Sequence, residues 1–163
     1  MAVDVFLKID EVKGESRDSE HKEEIDVLAW SWGVSNSGTY HLGGGAGAGK
    51  ANFQDITVTK YVDKASPSFM NSCASGAHYP KAVMVARKSG GKKPVNYFTI
   101  TMDKVFVSSY QTGGSGSGGD DRITETVTLN FSEVEVQYIE QLENGGEGKK
   151  PKFKWKIAEN VAG

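Results

Sequence analysis

The alternation of apolar and polar residues along this 163-residue chain predicts a mainly β fold, a β-barrel of two curled antiparallel sheets with one short α-helix and a long Gly-rich extended loop. Three observations carry this reading. First, residues 123–138 read ITETVTLNFSEVEVQY, which puts Ile123, Val127, Leu129 and Phe131 on one face and Thr124, Thr126, Thr128 and Asn130 on the other, the period of two that a strand imposes. Second, the phase then slips, because Val134, Val136 and Tyr138 are offset by one position from Phe131. A bend or bulge near Ser132 and Glu133 brings both sets to one core, as in a strongly curled sheet. Third, helix signals occur together in one place only, between Ser66 and Gly76.

Taken in order, Val3, Val5, Leu7 and Ile9 form the apolar face of a first strand, and the charged stretch 10–24 reads as a solvated loop. Residues 25–34 read as a second strand in which Leu28, Trp30 and Trp32 face the core, while Val27, Ala29 and Ser31 present small side groups outward. Residues 37–50 are Gly, Ala, Ser and Thr with Tyr40, His41 and Leu42, too few apolar groups to pack alone, and read as a long loop or projecting arm. Strand character returns over 52–62. Ser66 as N-cap, Pro67 at the first helical position and Gly76 as the stop predict a helix of about ten residues with Phe69, Met70 and Cys73 inward. Residues 81–88 and 95–110, joined by SGGKKP, read as a hairpin whose second strand turns Phe98, Ile100, Met102 and Phe106 inward. In the last strand Phe153, Trp155 and Ile157 alternate with Lys152, Lys154 and Lys156.

The length fits one domain, 1–163, by the prior of roughly 100 to 200 residues per domain, and a protein of this size buries about 70% of its unfolded surface. Cys73 is the sole cysteine and has no partner for an internal disulfide, so nothing points to an oxidising compartment. The start, MAVDVFLKIDEVKGES, reaches Asp4 at once and lacks the continuous apolar run of a secretory signal. No apolar stretch approaches the ~20 residues that cross a bilayer, and a net charge of −2 argues against a generic polyanion binder. The expected partners therefore include neither nucleic acid nor an inserted membrane.

Motifs that promise chemistry do not complete themselves. Residues 44–50 match most of a phosphate-binding loop, but position 51 is Ala51 instead of a hydroxyl residue, and a strand follows where that loop needs a helix N-terminus. GGSGSGGDD occurs once and reads as a linker, with Gly118 where a calcium-binding repeat needs aspartate. His21, His41 and His78 have no metal-ligand spacing and read as solvated or helix-end residues. No base and orienting acid are set beside Ser66, Ser68, Ser72 or Cys73. The pairs Glu133 with Glu135 and Asp120 with Asp121 read as strand polarity and loop charge, and the lysines of 149–156 as the solvated side of an edge strand. The expectation is a protein with no catalytic residues, cofactor or metal, whose surfaces are its function.

Specific stretches go further: GES at 14–16, EIDVLAWSWG at 24–33, the glycine arm at 43–50, YVDKASP at 61–67, Gly76, HYP at 78–80, RKSGG at 87–91 and TETVTLNF at 124–131. Together, from Val3 to about Trp155, they closely resemble the Hcp family, the hemolysin-coregulated proteins of the bacterial type VI secretion system. The resemblance implies a tail-tube subunit that forms hexameric rings head to tail. Rings stack into a tube, expelled by a contractile sheath, that carries a spike protein at its tip and effector proteins in its lumen. It also implies assembly in the bacterial cytoplasm and export to the medium or a target cell without a signal peptide. On this reading Gly38, Tyr40, His41, Gly43, Gly44, Gly45, Gly47, Gly49 and Lys50 form an inter-subunit or ring-stacking loop, and Ala29 and Ser31 face the lumen. The competing expectation is a monomeric ligand-binding β-barrel such as a carbohydrate-binding module, which needs an exposed tryptophan where the tube subunit buries Trp30, Trp32 and Trp155.

Overall fold

The structure, a computed structural model, describes residues 3–38, 48–88, 94–119 and 121–163. In sequence order the elements are β1 (Val3–Ile9), β2 (Ile25–Val27), β3 (Ala29–Ser31), β4 (Val34–Gly38), β5 (Ala48–Phe53), β6 (Ile56–Tyr61), α1 (Ser66–Ser75), β7 (Tyr79–Lys88), β8 (Val95–Gly113), β9 (Thr124–Asn130), β10 (Glu133–Tyr138), β11 (Lys152–Lys156) and β12 (Val161–Ala162). The fold is mainly β with one helix. Two curled antiparallel layers share β8, which is 19 residues long: one runs β12-β11-β10-β8-β7-β1-β2, the other β3-β6-β9-β8. On the far side the unbroken backbone through Leu28 carries β2 of the first layer into β3 of the second. The core lies between the layers and includes Leu7, Ile25, Ile56, Val58, Phe69, Ile100, Met102, Val127 and Leu129. The expected hairpin is present, with β7 and β8 paired from Tyr79 to Lys88 and the register shifting by one residue between Ala86 and Arg87, although 89–93 of its turn lie outside the described residues.

Two reversals of phase correct the sequence reading, and both occur where the backbone passes from one layer to the other. In β2, Ile25 and Val27 are buried, so Val27 belongs to the core; at the crossing Leu28 is 51% exposed, and Trp30 resumes on the inner side. In β8, Ile100 and Met102 point inward, but Lys104 takes a left-handed backbone (φ 53°), which turns the alternation over, so Val105 and Val107 are buried and Phe106 is only half-buried. The slip at 131–134 has the same origin. Phe131 and Ser132 form a bend between β9, which pairs with β6, and β10, which pairs with β11, and both Phe131 and Val134 remain buried.

The helix also differs in detail. Gly76 ends it in the left-handed conformation (φ 75°), its N–H donating to Ser72 O at 2.8 Å, as expected of a C-terminal glycine. Ala65, not Ser66, holds the cap position, and the inward residues are Ser66, Phe69 and Ser72, three apart. Met70 and Cys73 are exposed, because the inward stripe holds two hydroxyls that the helix uses to dock. Ser72 accepts from the Val107 N–H at 3.1 Å and donates to Ala77 O at 2.7 Å. Ser66 donates to Glu125 at 2.8 Å.

The stretch 10–24 is not a free loop. Gly14 and Ser16 donate backbone N–H groups to Glu23 O and Glu24 O, and Arg87 grips Asp18 through two hydrogen bonds of 3.0 and 2.6 Å while lying over the Phe6 ring. This hydrogen bonding holds the Asp18 carboxyl well below the usual carboxylate range. His21, read from sequence as solvated, is buried, stacked on Phe6 at 4.2 Å and bonded through Nδ1 to Glu24 at 2.9 Å. Trp30, Trp32 and Trp155 are half-buried against the core, short of full burial but with no fully exposed indole among them.

Directly opposed across β6 and β9, on the inner face, stand Lys60 and Glu125, both almost fully buried. The ammonium bonds Glu125, Asp63 Oδ1 at 3.0 Å and Tyr61 O at 2.8 Å; the carboxylate also accepts from Ser66 and the Tyr110 hydroxyl. Removing one partner from such a pair strands a buried charge, at about 3–5 kcal/mol. Glu125→Gln is therefore expected to lower unfolding stability in urea by that order, and Lys60→Met with Glu125→Leu together by less than the two single changes summed. Single variants within about 1 kcal/mol of the parent would contradict the assignment.

Candidate functional site

The candidate site consists of surfaces, not a pocket. Among the described residues no group of three or more His, Cys, Asp or Glu could hold a metal ion. The register of the second layer fixes what its outer face carries. Ala29, Thr59, Thr126 and Gln111 lie side by side across β3, β6, β9 and β8, and Ser31, Thr57, Thr128 and Ser109 form the adjacent row. Opposed residues in antiparallel strands share a face, so these eight small or polar, uncharged residues make one surface. Ala29 and Ser31, the two residues singled out from sequence, are exposed at its β3 edge. Asp55 at its margin is tied down, accepting from Ser108 at 2.6 Å and Asn130 at 2.8 Å. The first layer contrasts with it. Its outer rows run Lys156, Glu133, Asp103, Lys81 and Lys154, Glu135, Thr101, Val83, Lys8, a mixture rich in opposite charges.

Sequence alternation found the threonines of β9 but treated them only as a polar side. That they align with Thr57, Thr59, Ser109 and Gln111 is a matter of register across strands distant in sequence. Beneath this face the inner row Lys60, Glu125 joins β6, β9, β8 and the start of α1 through Tyr110 and Ser66, so the outer rows rest on a cross-linked floor. Burial, with the hydrogen bond to Glu125, pushes the Tyr110 hydroxyl up to about 12.

The second surface is the ribbon of β4 and β5, a two-stranded unit with its own pairing, Val34 to Phe53, Ser35 to Asn52, Asn36 to Ala51 and Gly38 to Ala48. Every residue of β4 is exposed. The expected arm is thus a strand pair at its base. Gly38 faces open space, whereas Gly49 is sterically required: a Cβ there would lie 2.7 Å from Ser37 O, and Gly49 O accepts from Asn36 at 2.8 Å. Lys50 is exposed beside it. Tyr40, His41, Gly43, Gly44, Gly45 and Gly47 lie outside the described residues. The root is held firmly, since Gln54 N–H donates to Gly33 O at 2.9 Å and Phe53 sits among Trp32, Phe153 and Trp155 with ring centroids 6.2 to 6.4 Å apart.

Because the folded Tyr110 hydroxyl ionises above the ~10 of an unfolded tyrosine, its contribution to stability is present below pH ~10 and lost as pH rises through its folded value. Alkaline absorbance titration of the folded protein should contain one phenol ionising near pH 12 that Tyr110→Phe removes; an unchanged titration curve in the variant would place that phenol elsewhere.

Comparison with known proteins agrees with this architecture. The family model described as "Type VI secretion system effector, Hcp" matches residues 6–138. Protein hcp1 of Pseudomonas aeruginosa is 56% identical over 162 residues, covering 99% of both sequences. Among solved structures, one titled as a type six secretion system protein superposes with a TM-score of 0.92 at 34% identity, covering 99% of this protein and 100% of that one. Hcp1 from Salmonella typhimurium superposes with a TM-score of 0.78, also at 34% identity, covering 99% of each. No helix among the described residues is long and apolar enough to cross a membrane. With the two curled layers, the single helix and the projecting ribbon in place, these likenesses make the protein a member of the Hcp family of type VI secretion proteins.

Proposed function

We propose that the protein is the structural subunit of a type VI tail tube: six copies form a ring, rings stack, and the uncharged face of Ala29, Ser31, Thr57, Thr59, Thr126 and Thr128 lines the lumen. The observation that carries this reading is that two adjacent rows of one outer face are small or polar and uncharged, with Asp55 at their margin tied down by hydrogen bonds, while the outer rows of the other layer are rich in charge. A lumen that passes proteins of varied sequence needs a wall without strong fixed charges, because unpaired charges reject some partners and hold others too tightly.

The ribbon of β4 and β5 is the ring-stacking element in this reading, with Gly38, Gly49 and Lys50 at its described part and Tyr40, His41, Gly43, Gly44, Gly45 and Gly47 in its continuation. An isolated two-stranded hairpin is marginal in water, so contact with a neighbouring copy supplies what the ribbon alone does not. The head-to-tail ring is a heterologous interface whose rotation closes. The spike protein, the contractile sheath and effector proteins are the further partners this role brings, with assembly inside the cell followed by export. Function rests on surfaces and not on catalysis.

Light scattering on the eluting native protein tests the ring: a particle of six subunits is expected, and a strict monomer at high concentration would overturn it. Ser31→Trp should leave that particle intact while reducing co-purification of luminal cargo several-fold; unchanged cargo retention would remove Ser31 from the lumen. Gly49→Val should keep single rings and suppress stacked filaments in electron micrographs, and filaments of normal length would free the ribbon from stacking.

A further inference from the structure

The connection between β10 and β11 contains a tight turn whose chemistry the tube role does not use. Leu142 N–H donates to Gly146 O at 2.8 Å, Gly145 N–H to Leu142 O at 2.9 Å, and Gly146 N–H to the Asn144 amide oxygen at 2.8 Å. Asn144 and Gly145 are exposed, and Gly145 has φ 83°. We propose that Asn144 is a self-modification site, at which its amide group cyclises onto the following backbone nitrogen and hydrolyses to an acidic residue.

The reaction balances with water alone. The Gly145 nitrogen attacks Asn144 Cγ, the new N–C bond forms, the bond from Cγ to Nδ2 breaks, and the displaced amide leaves as ammonia carrying the proton from Gly145. Water then opens the five-membered imide at either carbonyl, giving aspartate or its isomer with the backbone routed through Cβ and Cγ. Three features favour this at Asn144. Gly145 has no Cβ to obstruct the ring closure. The N–H of Gly146 is already bonded to the oxygen on which negative charge develops during attack. Both residues stand in water, which supplies the second reactant.

The other asparagines lack this combination. Asn36, Asn52, Asn96 and Asn130 are fixed in strands and Asn71 in the helix, while Asn160 precedes the branched Val161. Conversion adds one negative charge per subunit to a segment that already holds Glu140, Glu143 and Glu147. Ring closure removes the Gly145 proton and with it the hydrogen bond to Leu142 O, and the isomerised form, with a longer backbone between residues 144 and 145, changes the spacing on which that bond depends.

The test is to hold the folded full-length protein in mildly alkaline buffer made with heavy-oxygen water and to map its tryptic peptides by mass spectrometry. The peptide 123–149 contains both Asn144 and, as an internal control, Asn130. Heavy-oxygen uptake at position 144, absent at 130 and slowed at least several-fold by Gly145→Ala, is the expected result. No uptake at 144, equal uptake at 130, or a rate indifferent to Gly145→Ala would each overturn the proposal.

Discussion

A charge pair inside the sheet layers sets the terms for the rest of the molecule. Lys60 and Glu125 occupy inward positions on adjacent strands, where apolar residues would be expected, and each takes three hydrogen-bonded partners. Desolvating two ions is costly, and the cost is offset only when every donor and acceptor is met. Here the partners come from β6, β8, β9, the loop before the helix and the helix start, so satisfying the pair fixes all of these relative to one another. Phe69 completes the enclosure, with its ring 5.5 Å from the Lys60 ammonium.

That interior arrangement explains how an outer face can be chemically bland. Threonine, serine and alanine bury little apolar area and form few strong contacts, so a sheet whose outer rows consist of them needs its rigidity from the other side. The inner row of Trp30, Val58, Val127 and Tyr110, next to the charge pair, provides it. A similar division operates at the ribbon. Its strand β4 is exposed throughout and both strands bear glycine, but its root at Phe53 sits among three aromatic rings, so its attachment is set by the core.

Much of this was legible in the sequence. The β class, the β7 and β8 hairpin, the helix stop at Gly76 and the bend after Phe131 all followed from local signals: period-two hydropathy, a glycine at a left-handed position, a one-residue slip. What escaped depended on where strands separated in sequence come to lie. Leu28 and Lys104 reverse the alternation because the backbone changes layers there, and hydropathy alone does not announce a left-handed lysine. Glu125 stood in the apolar phase of ITETVTLNF, a visible anomaly, but its partner 65 residues earlier was not identifiable without the register. His21 and Ser16 read as loop residues because their burial comes from the packing of their loop against other strands, where Phe6 and Arg87 meet it. Of the candidate site, Ala29 and Ser31 were found from the small residues beside Trp30 and Trp32, whereas the threonines that extend their face required the fold.

One claim about orientation underlies the functional reading: the uncharged outer face of the β3, β6, β9 and β8 layer turns toward the axis of an assembly of identical copies. A cryo-electron microscopy map of the native particle tests this most directly. The expected map has density for Ser31, Thr57 and Thr128 on the wall of a central channel, with the lysine- and glutamate-bearing rows of β10 and β11 facing away from it. A map in which the charged layer lines the channel, or in which no channel forms, would contradict it.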